Sequence, residues 1–352
     1  MTPDGYTLFF AIMAALGIGL YVILDGFDLG VGILFPFAPR SADRDMMITS
    51  LAPIWDGNET WLVLGGMVLL AGFPVAFSIL LPAFYVPLAL MLFGLVLRGV
   101  AFEFRSQSGA SRLAWSAAFA GGSLLAAICQ GAVLGSLISS RIAVVDGRFA
   151  GGPFDWVGLF PMAVGVGLAA GYAVLGAGWL IWRTEGATQT FAREIARPAL
   201  LVTAAALLLV GAWTPFALSS IWTRWFSWPN PLFLAPLPLG SVIAWALTWR
   251  NLWHAQHWRP FASAVCIFIF ALAGIGVSVW PDAIPGVLPL ADAVSAPRTQ
   301  RIVAWLLVGI VPVILGYVGY AYWVFRGKVQ LEGEGKAPTQ GEVQKGGGIS
   351  AA

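Results

Sequence analysis

Four acidic residues lie inside or at the edge of long apolar segments of this sequence. Asp25 and Asp28 interrupt the first segment, and Asp56 and Glu59 begin the second. Each pair is spaced i, i+3, which places both carboxyl groups on one helix face. A charged side chain in hydrocarbon costs about 3 kcal/mol even on insertion scales, so such acids normally face protein or water and often carry ions or protons.

These acids have two explanations, and the sequence leaves both open. Asp56 follows Pro53 at a predicted helix start, where the helix dipole favours a carboxylate by roughly 0.3 to 1 kcal/mol. Arg98 and Glu103 end the third apolar segment, and Arg98 is a candidate countercharge for one of the acids. The set therefore fits a proton path along exchanging carboxyl groups, and it fits a salt-bridged helix junction.

The composition predicts that these residues belong to a membrane protein. The chain has 352 residues, of which 59% are apolar and 10% charged, and its mean hydropathy is +0.83. Nineteen basic and seventeen acidic residues leave a net charge of +2 with no basic patch or arm, which argues against a nucleic-acid partner. Cys129 and Cys266 lie in apolar segments and are expected to behave as small hydrophobic residues.

The apolar segments predict an all-α polytopic fold with about nine transmembrane helices. A hydrocarbon core of roughly 30 Å needs about 20 helical residues. We place the spans near 8–34, 54–72, 76–100, 114–138, 157–181, 198–221, 232–249, 261–280 and 302–325. Eight of them could form two four-helix bundles with the ninth helix peripheral. The first segment has no basic residues before it, so we expect it to stay as a span rather than act as a cleaved signal.

The distribution of basic residues predicts the orientation, because Lys and Arg near span ends remain in the cytoplasm. Fourteen of the nineteen lie in odd-numbered connections or the tail: Arg40, Arg44, Arg98, Arg105, Arg112, Arg183, Arg193, Arg197, Arg250, Arg259, Arg326, Lys328, Lys336 and Lys345. The even-numbered connections hold the other five: Arg141, Arg148, Arg224, Arg298 and Arg301. We therefore predict an outside N-terminus, a membrane domain over 1–327 and a disordered cytoplasmic tail over 328–352.

This orientation brings the ionisable residues to one depth. Seventeen residues of helix separate Leu8 from Asp25, and at 1.5 Å each they place Asp25 roughly 26 Å below the outer end, towards the cytoplasm. The second span begins on that side and the third span ends there. Asp25, Asp28, Asp56, Glu59, Arg98 and Glu103 are thus expected to converge in the inner half of the membrane.

The sequence lacks the usual ligands and motifs of several cofactor proteins. Its two histidines, His254 and His257, lie in a connection and not in a predicted span, so the usual haem ligand is missing from the membrane. We interpret this pair as an interfacial loop feature rather than a metal site. The sequence contains no P-loop, Cys-rich cluster or dinucleotide-binding glycine motif.

Three sequence blocks resemble the signature of cytochrome bd oxidase subunit II. They are Leu24-Asp25-Gly26-Phe27-Asp28-Leu29-Gly30-Val31-Gly32, Pro53-Ile54-Trp55-Asp56-Gly57-Asn58-Glu59-Thr60-Trp61 and Arg98-Gly99-Val100-Ala101-Phe102-Glu103-Phe104-Arg105. Their order and spacing are also similar to those of the family. The match is specific over the first 105 residues or so, and beyond them the likeness is one of length and general character.

The resemblance implies a subunit of a bacterial cytoplasmic-membrane quinol oxidase. In this family a first subunit carries two b-type haems, haem d and the quinol-oxidising loop, and the second subunit binds no haem. The complex oxidises quinol, reduces dioxygen to water and takes its protons from the cytoplasm, so the reaction builds a proton gradient. Members can also hold a structural quinone in the second subunit and bind a small accessory subunit among the membrane lipids.

The resemblance also implies roles for particular residues. The aspartate matching Asp56 lies on a proton route at the subunit interface, and the tryptophan matching Trp61 lies beside an oxygen route. An ordinary packing aromatic explains Trp61 equally well. Asp25, Asp28, Glu59 and Arg98 are supporting candidates for the proton route, with Glu103 beside them. Some relatives have glutamine in place of Glu59, and a neutral amide cannot relay protons as an acid does.

Two rival functions use the same residues. Broken, glycine-rich spans with buried acids are typical of secondary transporters and ion channels, which would use Asp25, Asp28, Asp56 and Glu59 without a redox partner. A purely structural scaffold would need the same charges only for helix packing.

Overall fold

The computed structural model describes residues 4–105, 107, 109, 111–139, 142–254 and 257–329. This part of the chain is almost entirely helical, with two short antiparallel hairpins. The helices are α1 (Gly5–Leu34), α2 (Ser41–Leu51), α3 (Trp55–Gly72), α4 (Pro74–Arg105), α5 (Arg112–Ile138), α6 (Leu159–Arg183), α7 (Gly186–Ala217), α8 (Ser219–Phe226), α9 (Asn230–Leu234), α10 (Pro236–Trp253), α11 (Arg259–Val279), α12 (Leu290–Ala293) and α13 (Pro297–Val324). The strands are β1 (Val144–Val145), β2 (Arg148–Phe149), β3 (Asp282–Ile284) and β4 (Leu288–Pro289).

In the part of the chain that the structure describes, nine long helices occupy the positions of the predicted spans. Within the described residues, eight helical segments are long and apolar enough to cross a membrane. The ninth long helix, α3, falls outside that group because its first turns contain Asp56, Asn58 and Glu59. The all-α polytopic fold predicted from the sequence is therefore confirmed.

Several helix boundaries differ from the predicted spans for local reasons. Helix α7 begins at Gly186, well before the predicted residue 198, because the polar segment 186–197 is also helical. Pro236 divides the predicted seventh span into α9 and α10, since proline lacks the N–H needed to continue a helix. Helix α2 and the two hairpins lie in connections for which the sequence had suggested no structure.

The nine long helices pack as two groups of four with one helix outside. Helices α1, α3, α4 and α5 form the first group, and α6, α7, α10 and α11 form the second. The α1–α6 and α5–α6 contacts join the groups, and α13 packs against α3 and α1. The contacts thus match the predicted pair of bundles with a peripheral helix.

Glycines set the distance between α1 and α6. A Cβ atom on Gly30 would lie 1.8 Å from the Tyr172 carbonyl oxygen, and one on Gly176 would lie 2.4 Å from the Val31 nitrogen. The two backbones are therefore in direct contact, which is the packing that small residues permit between membrane helices. The same contact brings the side chains of α1 and α6 within hydrogen-bonding range.

The odd-numbered connections meet at one end of the molecule. Hydrogen bonds join them there: Thr188 to Asp43 at 2.8 Å, Arg105 to Asp45 at 2.8 Å, Arg112 to Asp45, Arg193 to the His254 carbonyl at 2.9 Å, and Lys328 to the Thr184 carbonyl at 2.8 Å. Four of the eight predicted connections between spans and the start of the C-terminal segment are thus at the same end, as an alternating topology requires.

The even-numbered connections meet at the opposite end. The Ser295 backbone N–H donates to the Gly72 carbonyl at 2.9 Å, and Arg224 donates to the Val277 carbonyl at 2.9 Å. Ile142, Trp156 and Ile284 share a small apolar cluster that joins the two hairpin regions. The helices therefore alternate in direction. Arg141 and the predicted tail beyond Val329 lie outside the described residues.

Helix α2 is held against the first end by two aspartates. Asp43 is 1% exposed and accepts hydrogen bonds from the Arg40 guanidinium at 2.8 and 2.9 Å and from the Thr188 hydroxyl at 2.8 Å. The Arg40 hydrogen bonds, with the Thr188 hydroxyl, hold the pKa of Asp43 below its usual value. Asp45 accepts from Arg105 and Arg112, so α2 is tied to α4, α5 and α7 together.

The Gly30 contact gives a packing prediction. Gly30→Ala places a methyl group against backbone of α6 that cannot move aside, so we expect a destabilisation of about 1 to 3 kcal/mol or more. Gly19→Ala in the same helix is the matched control, since the nearest atom to its new Cβ is Leu272 Cδ1 at 3.9 Å. The thermal unfolding midpoint of the detergent-solubilised protein measures both. Equal midpoints for the two variants would contradict the close contact.

The Asp43 contacts give a second prediction. Thr188→Val removes one donor to a buried carboxylate and should cost about 0.5 to 1.5 kcal/mol, seen as faster proteolysis in the α2 segment. Thr190→Val is the control, because its exposed hydroxyl donates only within α7, to Gly186.

Because the folded-state pKa of Asp43 is lowered, the carboxylate contributes its full stabilisation above the unfolded value of about 3.9 and loses it as the pH falls further. The difference between the variants should therefore be constant near neutral pH and vanish in acid. A difference that grew in acid would be inconsistent with this.

Candidate functional site

The centre of the candidate site is the guanidinium of Arg98. Its side chain is 3% exposed, and Nη1 lies 2.5 Å from Asp25 Oδ1 while Nη2 lies 3.0 Å from Glu59 Oε2. Three helices of the first bundle thus supply one charged group each. Arg98 was expected to pair with one of the acids, and it forms ion pairs with two of them, Asp25 and Glu59.

Glycines let Arg98 reach this position. A Cβ atom on Gly94 would lie 2.6 Å from the Gly122 carbonyl oxygen, and one on Gly122 would lie 3.1 Å from the Arg98 nitrogen. Helices α4 and α5 therefore touch one turn before Arg98. This contact sets the rotation of α4 about its own axis, and therefore which of its side chains face α1 and α3.

Asp28 lies one turn beyond Asp25 and has a different set of partners. It is 1% exposed, and Asn58 Nδ2 donates to its Oδ2 at 2.8 Å. The Tyr322 hydroxyl in turn donates to Asn58 Oδ1 at 2.8 Å. Asp28 is thus bound by an amide of α3 that is itself oriented by the peripheral helix α13.

A chain of neutral side chains approaches Asp25 from the opposite side. The Tyr172 hydroxyl of α6 donates to Gln130 Oε1 at 2.7 Å, and Gln130 Nε2 donates to the Tyr21 hydroxyl at 2.6 Å. The Tyr21 hydroxyl interacts with the carboxylate of Asp25, one turn along α1. Gly26 makes room for Tyr172, because a Cβ atom there would lie 2.6 Å from the tyrosine ring.

The acids form a gradient of exposure. Asp25 and Asp28 are fully buried, the Glu59 side chain is 30% exposed, and Asp56 is exposed one turn before it on α3. Glu103 is also exposed, near the end of α4. The structure therefore brings four of the six candidate residues into one buried cluster and leaves Asp56 and Glu103 at the surface. Glu59 connects the surface to the buried group.

The cluster carries more acid than base. Three carboxyl groups surround one guanidinium, and two buried carboxylate oxygens, Asp25 Oδ2 and Asp28 Oδ1, have no hydrogen-bond partner among the described residues. Buried acceptors are normally satisfied by protein, water or a proton. Chemically, the arrangement can bind, hold and release protons.

Trp61 lies on the same helix as Glu59 and is fully buried. It packs in an apolar cluster with Phe10, Leu64 and Val68, and its indole N–H has no acceptor within the described part of the chain. Its surroundings are therefore apolar, apart from Tyr21 in the same cluster.

The described residues contain no group of three or more His, Cys, Asp and Glu side chains suited to a metal ion. His254 Nδ1 lies 2.8 Å from the Arg250 carbonyl oxygen at the end of α10. Cys129 is buried and Cys266 is exposed, and neither forms a disulfide.

Sequence reasoning missed the neutral members of the site: Tyr21, Asn58, Gln130, Tyr172 and Tyr322. Asn58 could have been noticed, since it stands between Asp56 and Glu59, and Gln130 interrupts an otherwise apolar span. The tyrosines carry no such signal, because tyrosine is also an ordinary membrane-interface residue.

Comparison with known proteins gives several relatives of similar length. "Cytochrome bd-I ubiquinol oxidase subunit 2" of Escherichia coli strain K12 is 27% identical over 362 aligned positions, covering 89% of this chain and 92% of the relative. "Cytochrome bd ubiquinol oxidase subunit 2" of Bacillus subtilis is 26% identical, covering 92% of this chain and 96% of the relative.

A solved structure and a family model agree with these relatives. The structure of bd oxidase from Geobacillus thermodenitrificans contains a chain with the same fold, at a TM-score of 0.72 and 16% identity, covering 91% of this chain and 99% of that one. The family model for cytochrome bd terminal oxidase subunit II matches residues 6–325. With that match extending over nearly the whole membrane domain, the chain belongs to the cytochrome bd terminal oxidase subunit II family.

Proposed function

We propose that this chain is the haem-free second subunit of a quinol-oxidising terminal oxidase and that its buried acids form part of a proton route. The observation that carries the proposal is the graded acid cluster, which extends from exposed Asp56 through half-buried Glu59 to buried Asp25 and Asp28 around Arg98. Its occurrence in a chain of this family links the cluster to an oxidase rather than to an autonomous transporter.

The oxidase chemistry belongs to a partner. We propose a haem-bearing first subunit with two haem b groups and haem d, which oxidises quinol and reduces dioxygen to water. The ubiquinol oxidase names of the relatives support quinol as reductant. The two histidines of this chain lie outside its long helices, which agrees with haem ligation by the partner. A structural quinone, a small accessory subunit and membrane lipids complete the proposed set of partners.

The proposed orientation puts the acid cluster on the cytoplasmic side. The end of the molecule that gathers Arg105, Arg112, Arg193 and Lys328 is the more basic one, and basic ends face the cytoplasm. Asp56 lies in the first turn of α3 near this end, where α2 is attached. Protons from the cytoplasm would therefore meet Asp56 first, with Glu103 as a second exposed acid.

The route inward follows helix geometry. Asp56 and Glu59 are one turn apart on α3, so their side chains lie on a common face. Glu59 and Asp25 both bind Arg98, and Asp28 is one turn from Asp25. The acids are thus linked by helix spacing and by the shared guanidinium of Arg98, and Asp25 and Asp28 are shielded from solvent.

Trp61 is proposed to border an oxygen route from the lipid. Dioxygen dissolves better in lipid than in water, and the apolar cluster around Trp61 suits such a route. The rival transporter function would require transport by the purified chain alone, without a haem-bearing partner.

Asp56→Asn tests the proton route. The amide keeps the shape of the side chain but cannot exchange a proton, so we expect normal assembly and haem content with oxygen consumption slowed on the order of tenfold, about 1.4 kcal/mol in the barrier. Reduction of haem d should be impaired as well. Oxygen uptake and absorption spectra of the complex purified in mild detergent measure these effects.

Asp292→Asn is the matched control for this experiment. Asp292 is another exposed acid in the first turn of a helix, but it lies at the opposite end of the molecule. We expect wild-type turnover from it. Wild-type turnover of Asp56→Asn in a fully assembled complex would remove the proton role and favour a scaffold.

Trp61→Phe tests the oxygen route. The smaller ring leaves room along the route, so the apparent KM for dioxygen should fall while the saturating rate stays unchanged. Trp179→Phe is the control, since Trp179 is also buried with an unpartnered indole N–H but lies on α6 among aromatic residues. An equal change in both variants, or none in Trp61→Phe, would identify Trp61 as a packing residue.

A further inference from the structure

We infer that Asp25 and Asp28 have different roles: Asp25 is a permanently ionised partner of Arg98, and Asp28 is the carboxyl group that binds and releases the transferred proton. The protonation states follow from the contacts of the two residues. Only the use of the proton rests on the function proposed above.

The contacts of Asp25 favour its charged form. It forms the 2.5 Å ion pair with Arg98, and Tyr21 lies one turn before it on α1. An ion pair and a hydroxyl donor both stabilise a carboxylate relative to the neutral acid.

The direction of the neutral chain strengthens this preference. Tyr172 donates to the oxygen of Gln130, whose nitrogen donates to the Tyr21 oxygen. Because the Tyr21 oxygen is then an acceptor for Gln130, its own hydroxyl hydrogen is free to point to Asp25. An amide has a fixed donor side and a fixed acceptor side, so Gln130 does not relay protons through this chain. Tyr172, Gln130 and Tyr21 are therefore positioning residues that orient a donor onto Asp25.

Asp28 lacks the ion pair that stabilises the charge of Asp25. Each aspartate has one buried oxygen without a partner, but among the described residues Asp28 forms no ion pair and its one hydrogen-bond donor is the neutral amide of Asn58. Asn58 Oδ1 accepts from the Tyr322 hydroxyl, which keeps the amide nitrogen directed at Asp28 Oδ2. The unpartnered oxygen Oδ1 is the atom left to carry the proton.

The charges around Asp28 also favour its neutral form. The groups that face Asp28 are Asp25 from its own helix, Glu59 and Asn58 from α3, Arg98 from α4 and Tyr322 from α13. The one cation among them already binds two carboxyl groups. Ionised Asp28 would add a further negative charge in a buried, low-dielectric region, and a proton on Oδ1 removes that charge.

The assignment defines one balanced proton step. Protonated Asp28 releases its proton to a water molecule, which becomes hydronium while Asp28 becomes a carboxylate, and uptake of a proton from a hydronium ion on the Glu59 side restores the neutral acid. Arg98 lies close enough to stabilise the transient carboxylate. Asp25 and Arg98 keep their charges throughout, so the charges next to Asp28 do not change while its proton is bound and released.

Redox-induced infrared difference spectroscopy on the purified oxidase complex tests this assignment directly. The spectrum should contain a protonated-carboxyl band that shifts in heavy water and is lost in Asp28→Asn. Two matched substitutions separate the aspartates. Tyr322→Phe removes the bond that orients Asn58 and should shift the band, whereas Tyr21→Phe removes a donor to Asp25 and should leave the band in place.

Three results would overturn the assignment: a band that persists in Asp28→Asn, a spectrum in which wild type and Asp28→Asn do not differ, and a band that shifts in Tyr21→Phe but not in Tyr322→Phe. If the complex with Asp28→Asn does not assemble, the comparison of Tyr322→Phe with Tyr21→Phe tests the assignment by itself. Loss of the band in Asp28→Asn with unchanged oxygen consumption would confirm the protonation states and refute the proposed proton route. The two proposals therefore fail separately.

Discussion

A guanidinium buried among membrane helices must be matched by carboxylates, and the first bundle is arranged around this constraint. Arg98 contacts Asp25 of α1 and Glu59 of α3, so the ion pairs hold three helices in one register. Breaking a buried pair by removing one partner typically costs 3 to 5 kcal/mol, because the other charge is left without compensation. The site and the helix packing are therefore coupled, because the packing of these three helices depends on the charged side chains.

Close backbone contact is the second requirement, because short polar side chains meet only where helices nearly touch. Gly17 faces Gly65 between α1 and α3, Gly94 faces Gly122 between α4 and α5, and Gly131 faces Gly165 between α5 and α6. In lipid, helix association depends on such packing and on interhelical hydrogen bonds rather than on burial of apolar surface. The glycine contacts bring α1, α3, α4, α5 and α6 together, and these are the helices that supply most of the polar groups around Asp25 and Asp28.

The sequence predicted the fold well because hydrophobic length and the placement of basic residues are strong signals in membrane proteins. The acid pairs and Arg98 were found for a related reason, since ionisable residues are rare within apolar segments. Spacing could not show which face of a helix is buried, so Asp56 and Glu103 were grouped with the buried acids although they are exposed. Gln130 and Tyr172 were missed because their function depends on the distance between α5 and α6, which only the folded chain defines.

With the function proposed above, the arrangement gives a physical reason for a subunit without haem to contain buried acids. Delivering an electron to a centre in a low-dielectric interior is costly unless a positive charge arrives with it, and a proton is the smallest one available. A carboxyl group can supply that proton only if it is neutral before transfer and if nearby positive charge stabilises its carboxylate afterwards. In the assignment proposed above, Asp28 meets the first condition because it is buried without an ion pair, and the second because Arg98 is nearby. In that assignment the Asp25–Arg98 pair keeps its charges, and the second aspartate one turn away carries the proton.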